Sequence, residues 1–165
     1  MIFETERLLV RKLIIEDLQP FYKLESNPKV LQYATGEVKT LEEAKADLES
    51  IIVKYNLPKN DFWIYAIETK ADKQFVGTLA LVKDEGDDEI GYRFIEDFWG
   101  NSYGFEICGG LILYCKINGM KKIIGYVVDK NIASAKIIER YHFKKVSTFI
   151  SDDIGLPETK YELIL

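Results

Sequence analysis

The chain has 165 residues, 47% of them hydrophobic and 30% charged, with 27 acidic against 22 basic residues and a net charge of −5. That length suits one domain, 1–165, with a sizeable core, and the composition excludes a disordered chain. The densest basic patch, "KINGMKK", is too short and too mixed for a nucleic-acid footprint, and no apolar run is long enough to span a bilayer, so neither nucleic acid nor membrane is expected as a partner.

The opening "MIFETERLLVRKL" carries charge every few residues, which is not the plan of a signal peptide, and a cytoplasmic setting is expected. Within it "RLLVRKL" alternates loosely and predicts a first strand. "EDLQPFYKLES" predicts a short helix, with Pro20 tolerable only in its first turn. "TLEEAKADLESIIVKYN" is the clearest helix: Thr40 and Glu43 form a capping box, and Leu41, Ala44, Leu48, Ile51 and Ile52 mark one apolar face. "FWIYAIET", "FVGTLALV" and "EIGYRFI" then follow one another across the short polar linkers "KADK" and "DEGDD", which predicts an antiparallel meander. A helix from about Tyr103 to Asn118, stopped by Gly119, leads to the strand "KKIIGYVV". The helix "NIASAKIIERY" follows with Asn131 as N-cap, and "FKKVSTFI" and "KYELIL" make a last pair of strands. Helices both precede and separate strands, so the sheet is mixed and the class is α+β.

Cys108 and Cys115 lie seven apart on one predicted helix, about 10 Å between Cα atoms and beyond disulfide reach. They read as small core residues in a reducing compartment. With one histidine, no cluster of His and Cys ligands exists, and no metal is implied.

The corner "DFWGNSYGFEI", residues 97–107, joins the third meander strand to a helix start. A helix N-terminus offers unpaired N–H groups and the positive end of its dipole, and glycine lets a ligand approach the backbone closely. Alone, this is more often an empty strand-to-helix turn than an anion site.

Three blocks in register change that balance. "ETERLLVRKLIIEDL", "EIGYRFIEDFWGNSYGFEI" and "NIASAKIIERYHF" resemble, in order and over nearly the whole chain, the GNAT superfamily of acetyl-CoA-dependent N-acetyltransferases, and within it the RimJ/RimL-like group. The resemblance implies a mixed, mostly antiparallel twisted sheet of about six to seven strands, about four helices and splayed central strands. It implies that Phe94 and Ile95 hydrogen-bond the pantetheine arm of acetyl-CoA through their backbone. It also implies that the amides of Asn101, Ser102, Tyr103, Gly104 and Phe105 surround the pyrophosphate. Asn131 would touch the cofactor arm and Ser134 would lie near its sulfur.

The chain departs from the group's pattern at three places. Ser102 replaces the middle glycine of the loop and is strained if that position needs positive φ. Asn101 replaces a usual basic residue. His142 replaces the glycine after the last helix, where a C-terminal position suits it structurally. The tyrosine that many relatives place on that helix to protonate the thiolate is matched by Ile138, which leaves Ser134 as the substitute.

In the implied reaction an amine attacks the thioester directly. At pH 7, freeing a lysine-type amine costs roughly 4.6 kcal/mol and an α-amine roughly 1 kcal/mol, so a base matters far more for the first. Glu89 is the first candidate, ahead of Asp88 and Glu96. Glu106 is poorer, because a helix N-terminus stabilises its charged form. The acceptor, a protein N-terminal amine or a small amine, is not encoded in any motif of residues 24–60 or of the final hairpin. A monomer or homodimer is expected, and a non-catalytic acyl-CoA-binding module is the alternative function.

Overall fold

A computed structural model describes residues 1–165. Eight strands form one sheet: β1 (Phe3–Glu4), β2 (Leu8–Lys12), β3 (Phe62–Thr69), β4 (Phe75–Asp84), β5 (Asp87–Phe94), β6 (Lys122–Val128), β7 (Lys144–Ile150) and β8 (Pro157–Ile164). Their spatial order is β1-β2-β3-β4-β5-β6-β8-β7. Five helices complete the chain: α1 (Leu18–Glu25), α2 (Pro28–Leu31), α3 (Leu41–Lys54), α4 (Tyr103–Ile117) and α5 (Ile132–Arg140). The two elements absent from the sequence prediction, the two-residue β1 and the four-residue α2, are shorter than any periodic pattern can reveal.

Local chemistry explains the framework. Thr40 and Glu43 close the α3 capping box reciprocally, and Ala44, Leu48 and Ile51 bury its inner face while Leu41 stays exposed. Pro20 falls in the first turn of α1. The β4–β5 hairpin turns on Glu85 and Gly86, both left-handed (φ 47° and 94°), the combination a two-residue hairpin needs to match strand twist. Helix α5 ends with His142 at φ 63°: its N–H donates to Glu139 O, and that of Phe143 donates to Ile138 O, a complete Schellman stop. His142 therefore acts as a helix terminator, at the position for which the resemblance implied a glycine.

All pairings are antiparallel except β5 with β6, which α4 crosses between. These two strands run parallel and share a single register pair, Glu89 with Ile124, and then part. Strand alternation assigns the two faces of the sheet. Arg93 of β5 meets Glu25 of α1 (3.1 Å), so α1 and α3 lie on the odd-numbered face. Phe94, one residue on, packs its ring 6.1 Å from that of Tyr103 at the start of α4, so α4 lies on the other. Leu8, Val10, Leu48, Ile67, Leu79, Ile107, Leu111 and Ile123 are fully buried between these layers. Burial of such side chains, about 1.5–3 kcal/mol each, fixes where the parted strands stand. Cys108 and Cys115 are buried and unpaired, and no helix is long and apolar enough to cross a membrane.

Candidate active site at the parting of the sheet

The gap between β5 and β6 opens into a cleft of about 870 Å³ that runs from the start of α4 through the sheet to the α2 loop. Ile95 shows which backbone groups face it, because its N–H donates to Val76 O of β4 (2.9 Å). In an antiparallel ladder, residues alternate between facing the partner and facing away. Residues 95, 93 and 91 therefore bond to β4, whereas Tyr92 and Phe94 turn their N–H groups toward the gap. The expectation for Phe94 and Ile95 is thus divided: Phe94 lines the cleft, and Ile95 is buried with its N–H already bonded. Tyr92 is the other residue of β5 beside Phe94 that turns its N–H to the gap. A strict count of two-residue alternation would have found it.

Past Ile95 a 3-10 turn, Glu96–Phe98, leads into the glycine-bearing corner. Trp99 Nε1 donates back to Phe94 O (2.9 Å), and Asn101 Nδ2 donates to Phe98 O (3.0 Å), so the loop is stapled to the strand it leaves. Gly100 (φ 80°) and Ser102 (φ 62°) are both left-handed. Ser102 thus carries the strain that a serine incurs at a glycine position. The first N–H of α4 with a partner is that of Glu106, bonded to Ser102 O (3.2 Å). The six preceding amides, Gly100 to Phe105, find no acceptor within the chain. Gly104 brings α4 close to its neighbours: a Cβ there would stand 3.1 Å from Ile137 Cδ1 and 3.3 Å from Tyr92 Cε2.

Charge returns to this corner from other elements, although Asn101 itself is neutral. Arg7, from the loop before β2, donates through Nε to Glu106 (2.7 Å) and through NH2 to Asn101 O (3.0 Å), with its guanidinium 4.8 Å from the Tyr103 ring centroid. Arg140 of α5 covers the Phe105 ring (4.4 Å), and Lys136, one turn earlier on α5, also lines the cleft. Tyr141 stacks on the same Phe105 ring (4.6 Å) and donates to the Phe105 carbonyl (2.9 Å).

Asn131 caps α5, its Oδ1 accepting the Ser134 N–H (3.3 Å). Both residues line the cleft, and the Ser134 hydroxyl has no partner in the chain. Cys108 also reaches the wall, beside the Tyr92 hydroxyl, and burial pushes its thiol up to about 12, so it is held neutral.

The four acids considered as a base differ sharply. Asp88 is paired with Lys83 (2.7 Å). Glu96 binds Lys29 and Asn27, and these bonds hold it below the ordinary carboxylate range. Glu106 is partly buried, which raises it, but bonds from Thr5 and from the Arg7 backbone and side chain outweigh burial and hold it low. Glu89 alone moves upward, to about 7, through loss of water and then the charges of Asp84 and Glu158, with Lys160 opposing. It lines the cleft at the point where β5 and β6 diverge. A carboxyl titrating near neutrality is suited to taking a proton from an amine. On the same face a smaller chamber of about 190 Å³ opens beside Ile64, Thr78 and Arg93, backed by Glu25, Lys39 and Phe62.

A mixed sheet parted between two parallel strands, with a helix N-terminus aimed into the parting, is the architecture of the GNAT acetyltransferases. The sequence profile of the acetyltransferase (GNAT) domain matches residues 7–144, and the chain belongs to that family. Among curated proteins it is 27% identical over 149 residues, 87% of this chain and 83% of the other, to the uncharacterized N-acetyltransferase YoaA of Bacillus subtilis (strain 168). Among the solved structures that share its fold are two acetyltransferases. One is RimL, a ribosomal L7/L12 alpha-N-protein acetyltransferase, in complex with coenzyme A (TM-score 0.83, 18% identity, 98% of this chain and 96% of that one). The other is spermidine N-acetyltransferase from Vibrio cholerae in complex with coenzyme A and spermine (TM-score 0.80, 16% identity, 95% of each chain).

Proposed function

We propose that residues 1–165 act as one N-acetyltransferase domain that moves an acetyl group from acetyl-CoA to a primary amine. The observation that carries this reading is the run of six unpartnered amides, Gly100 to Phe105, at the positive end of α4, on the rim of a sheet parted beside a carboxyl that titrates near 7. The donor set fits a pyrophosphate: successive N–H groups, a glycine at the closest approach, and the cations Lys136 and Arg140 on the cleft wall beside them.

The thioester supplies an acyl carbon already activated for attack, and coenzyme A leaves as the thiol. The remaining tasks fall to the chain. Asn101 to Phe105 bind the pyrophosphate, and the gap-facing N–H groups of Tyr92 and Phe94 align the pantetheine arm as an added strand would be aligned. An N–H of that strand stabilises the oxyanion. Glu89, on the opposite face, accepts the amine proton. Asn131 orients the arm through the start of α5, and the unpaired Ser134 hydroxyl donates toward the departing sulfur. Holding both reactants across one gap supplies much of the rate. The fold neighbours act on a protein α-amine in one case and a polyamine in the other, which supports an amine as acceptor without choosing its class.

The strain at Ser102 favours a second reading, a domain that binds acyl-CoA without turnover. Calorimetric titration of acetyl-CoA into the protein and into a Gly104→Trp variant, followed by thiol release over a panel of amines, separates the two. Micromolar binding lost in the variant, together with turnover of any amine, is the expected result. Binding without turnover on any amine establishes the second reading, and no binding by the unsubstituted protein eliminates both.

A further inference from the structure

The opening "TERL" places Thr5 and Arg7 about one hundred residues from the corner, yet the fold brings them to its back. Glu106 is the meeting point, accepting from Thr5 Oγ1 (2.6 Å), the Arg7 backbone N–H (2.7 Å) and Arg7 Nε (2.7 Å). With this carboxylate holding its Nε edge, the Arg7 guanidinium presents NH2 to the carbonyl of Asn101 at 3.0 Å. The guanidinium is planar and donates along fixed directions, so one group bridges helix and loop rigidly.

That last bond has a consequence for the neighbouring amide. In a trans peptide the C=O and the following N–H point in opposite directions. A carbonyl of Asn101 held toward Arg7 directs the N–H of Ser102 away from Arg7, to the cleft side of the loop. The same peptide leads into Ser102, whose φ of 62° is disfavoured for a residue with a Cβ. A glycine would hold this turn unaided, whereas a serine needs an external restraint.

We propose that Arg7 is a positioning residue of the phosphate loop: it fixes the Asn101–Ser102 peptide so that the Ser102 N–H faces the anion, and it compensates for the missing glycine. Glu106 and Thr5 act through it, by aiming its side chain. Arg7 also neutralises Glu106, which otherwise would set a bare carboxylate one turn behind the bound phosphates. This inference rests on the reading of the corner as a pyrophosphate cradle.

The test compares Arg7→Met in two backgrounds, the natural Ser102 and Ser102→Gly, by calorimetry with coenzyme A. Because Arg7 contacts the loop and not the reacting atoms, the expected loss is about tenfold in affinity in the Ser102 background. It shrinks to about threefold or less in the S102G background, where the loop needs no restraint. Turnover of acetylpantetheine, which lacks the pyrophosphate, reads the catalytic centre alone and stays within about twofold in both R7M variants. A general unfolding effect would lower it. Equal losses in both backgrounds overturn the proposal, as does a matching loss with acetylpantetheine. Failure of the unsubstituted protein to bind coenzyme A overturns instead the cradle reading beneath it.

Discussion

Replacing Glu89 with glutamine tests the chemistry and the electrostatics of the site in one variant. Burial and the neighbouring Asp84 and Glu158 raise this carboxyl from 4.5 to about 7, against Lys160. At about 1.4 kcal/mol per pKa unit, that rise corresponds to about 3.4 kcal/mol for a group wholly withdrawn from water. Glu89 is only half-buried, and solvent screening reduces the figure to about 1.5 kcal/mol. The sign follows from proton counting: between about pH 4.5 and 7 the native state holds a proton that the unfolded chain has lost. Stability therefore falls as pH rises through this window, and the penalty is complete above it. Glutamine keeps the shape and cannot ionise. E89Q is expected to melt about 3–6 °C higher than the unsubstituted protein at pH 8, and at the same temperature at pH 4. Its activity moves the other way. The unsubstituted enzyme's kcat/KM should rise with pH through about 7 and then level, whereas E89Q loses that limb and about 100-fold in rate with a lysine-type amine. An α-amine acceptor suffers less, since it is largely neutral already. A melting gain of equal size at both pH values refutes the charge penalty, and an unchanged pH limb in E89Q removes Glu89 as the base.

Three other substitutions probe the same cleft. Ser134→Ala removes a hydroxyl without a partner in the chain, so kcat falls about tenfold in a thiol-release assay while the melting temperature is unchanged. Gly104→Val places a side chain against Ile137 and Tyr92, destabilising by about 1–3 kcal/mol in denaturant titration and abolishing calorimetric binding of coenzyme A. Trp99→Phe deletes the Nε1 donor to Phe94 O and costs about 1 kcal/mol of stability, with a severalfold weaker cofactor titration as the loop loosens.

What the sequence determined by itself was local. The capping box of Thr40 and Glu43, the stop at Gly119, the Asn131 cap and the meander of β3 to β5 each follow from residues a few positions apart, where turn chemistry and periodicity act directly. The corner at 100–105 was visible for the same reason, since its glycines, its aromatics and its helix start are contiguous. The family resemblance extended this to the parted sheet and named Phe94, which faces the gap, but paired it with Ile95, whose N–H is bonded to β4, where ladder alternation presents Tyr92. Only the tertiary structure decided matters that depend on distant segments. Glu89 and Asp88 are adjacent acids, yet one is desolvated beside Asp84 and Glu158 while the other is paired with Lys83. The charge missing at Asn101 is supplied by Lys136 and Arg140 of α5, and its carbonyl is held by Arg7, 94 residues away. Such roles are set by which solvent, charges and carbonyls surround a group, and those surroundings exist only after the sheet has brought β2, β5, α4 and α5 together.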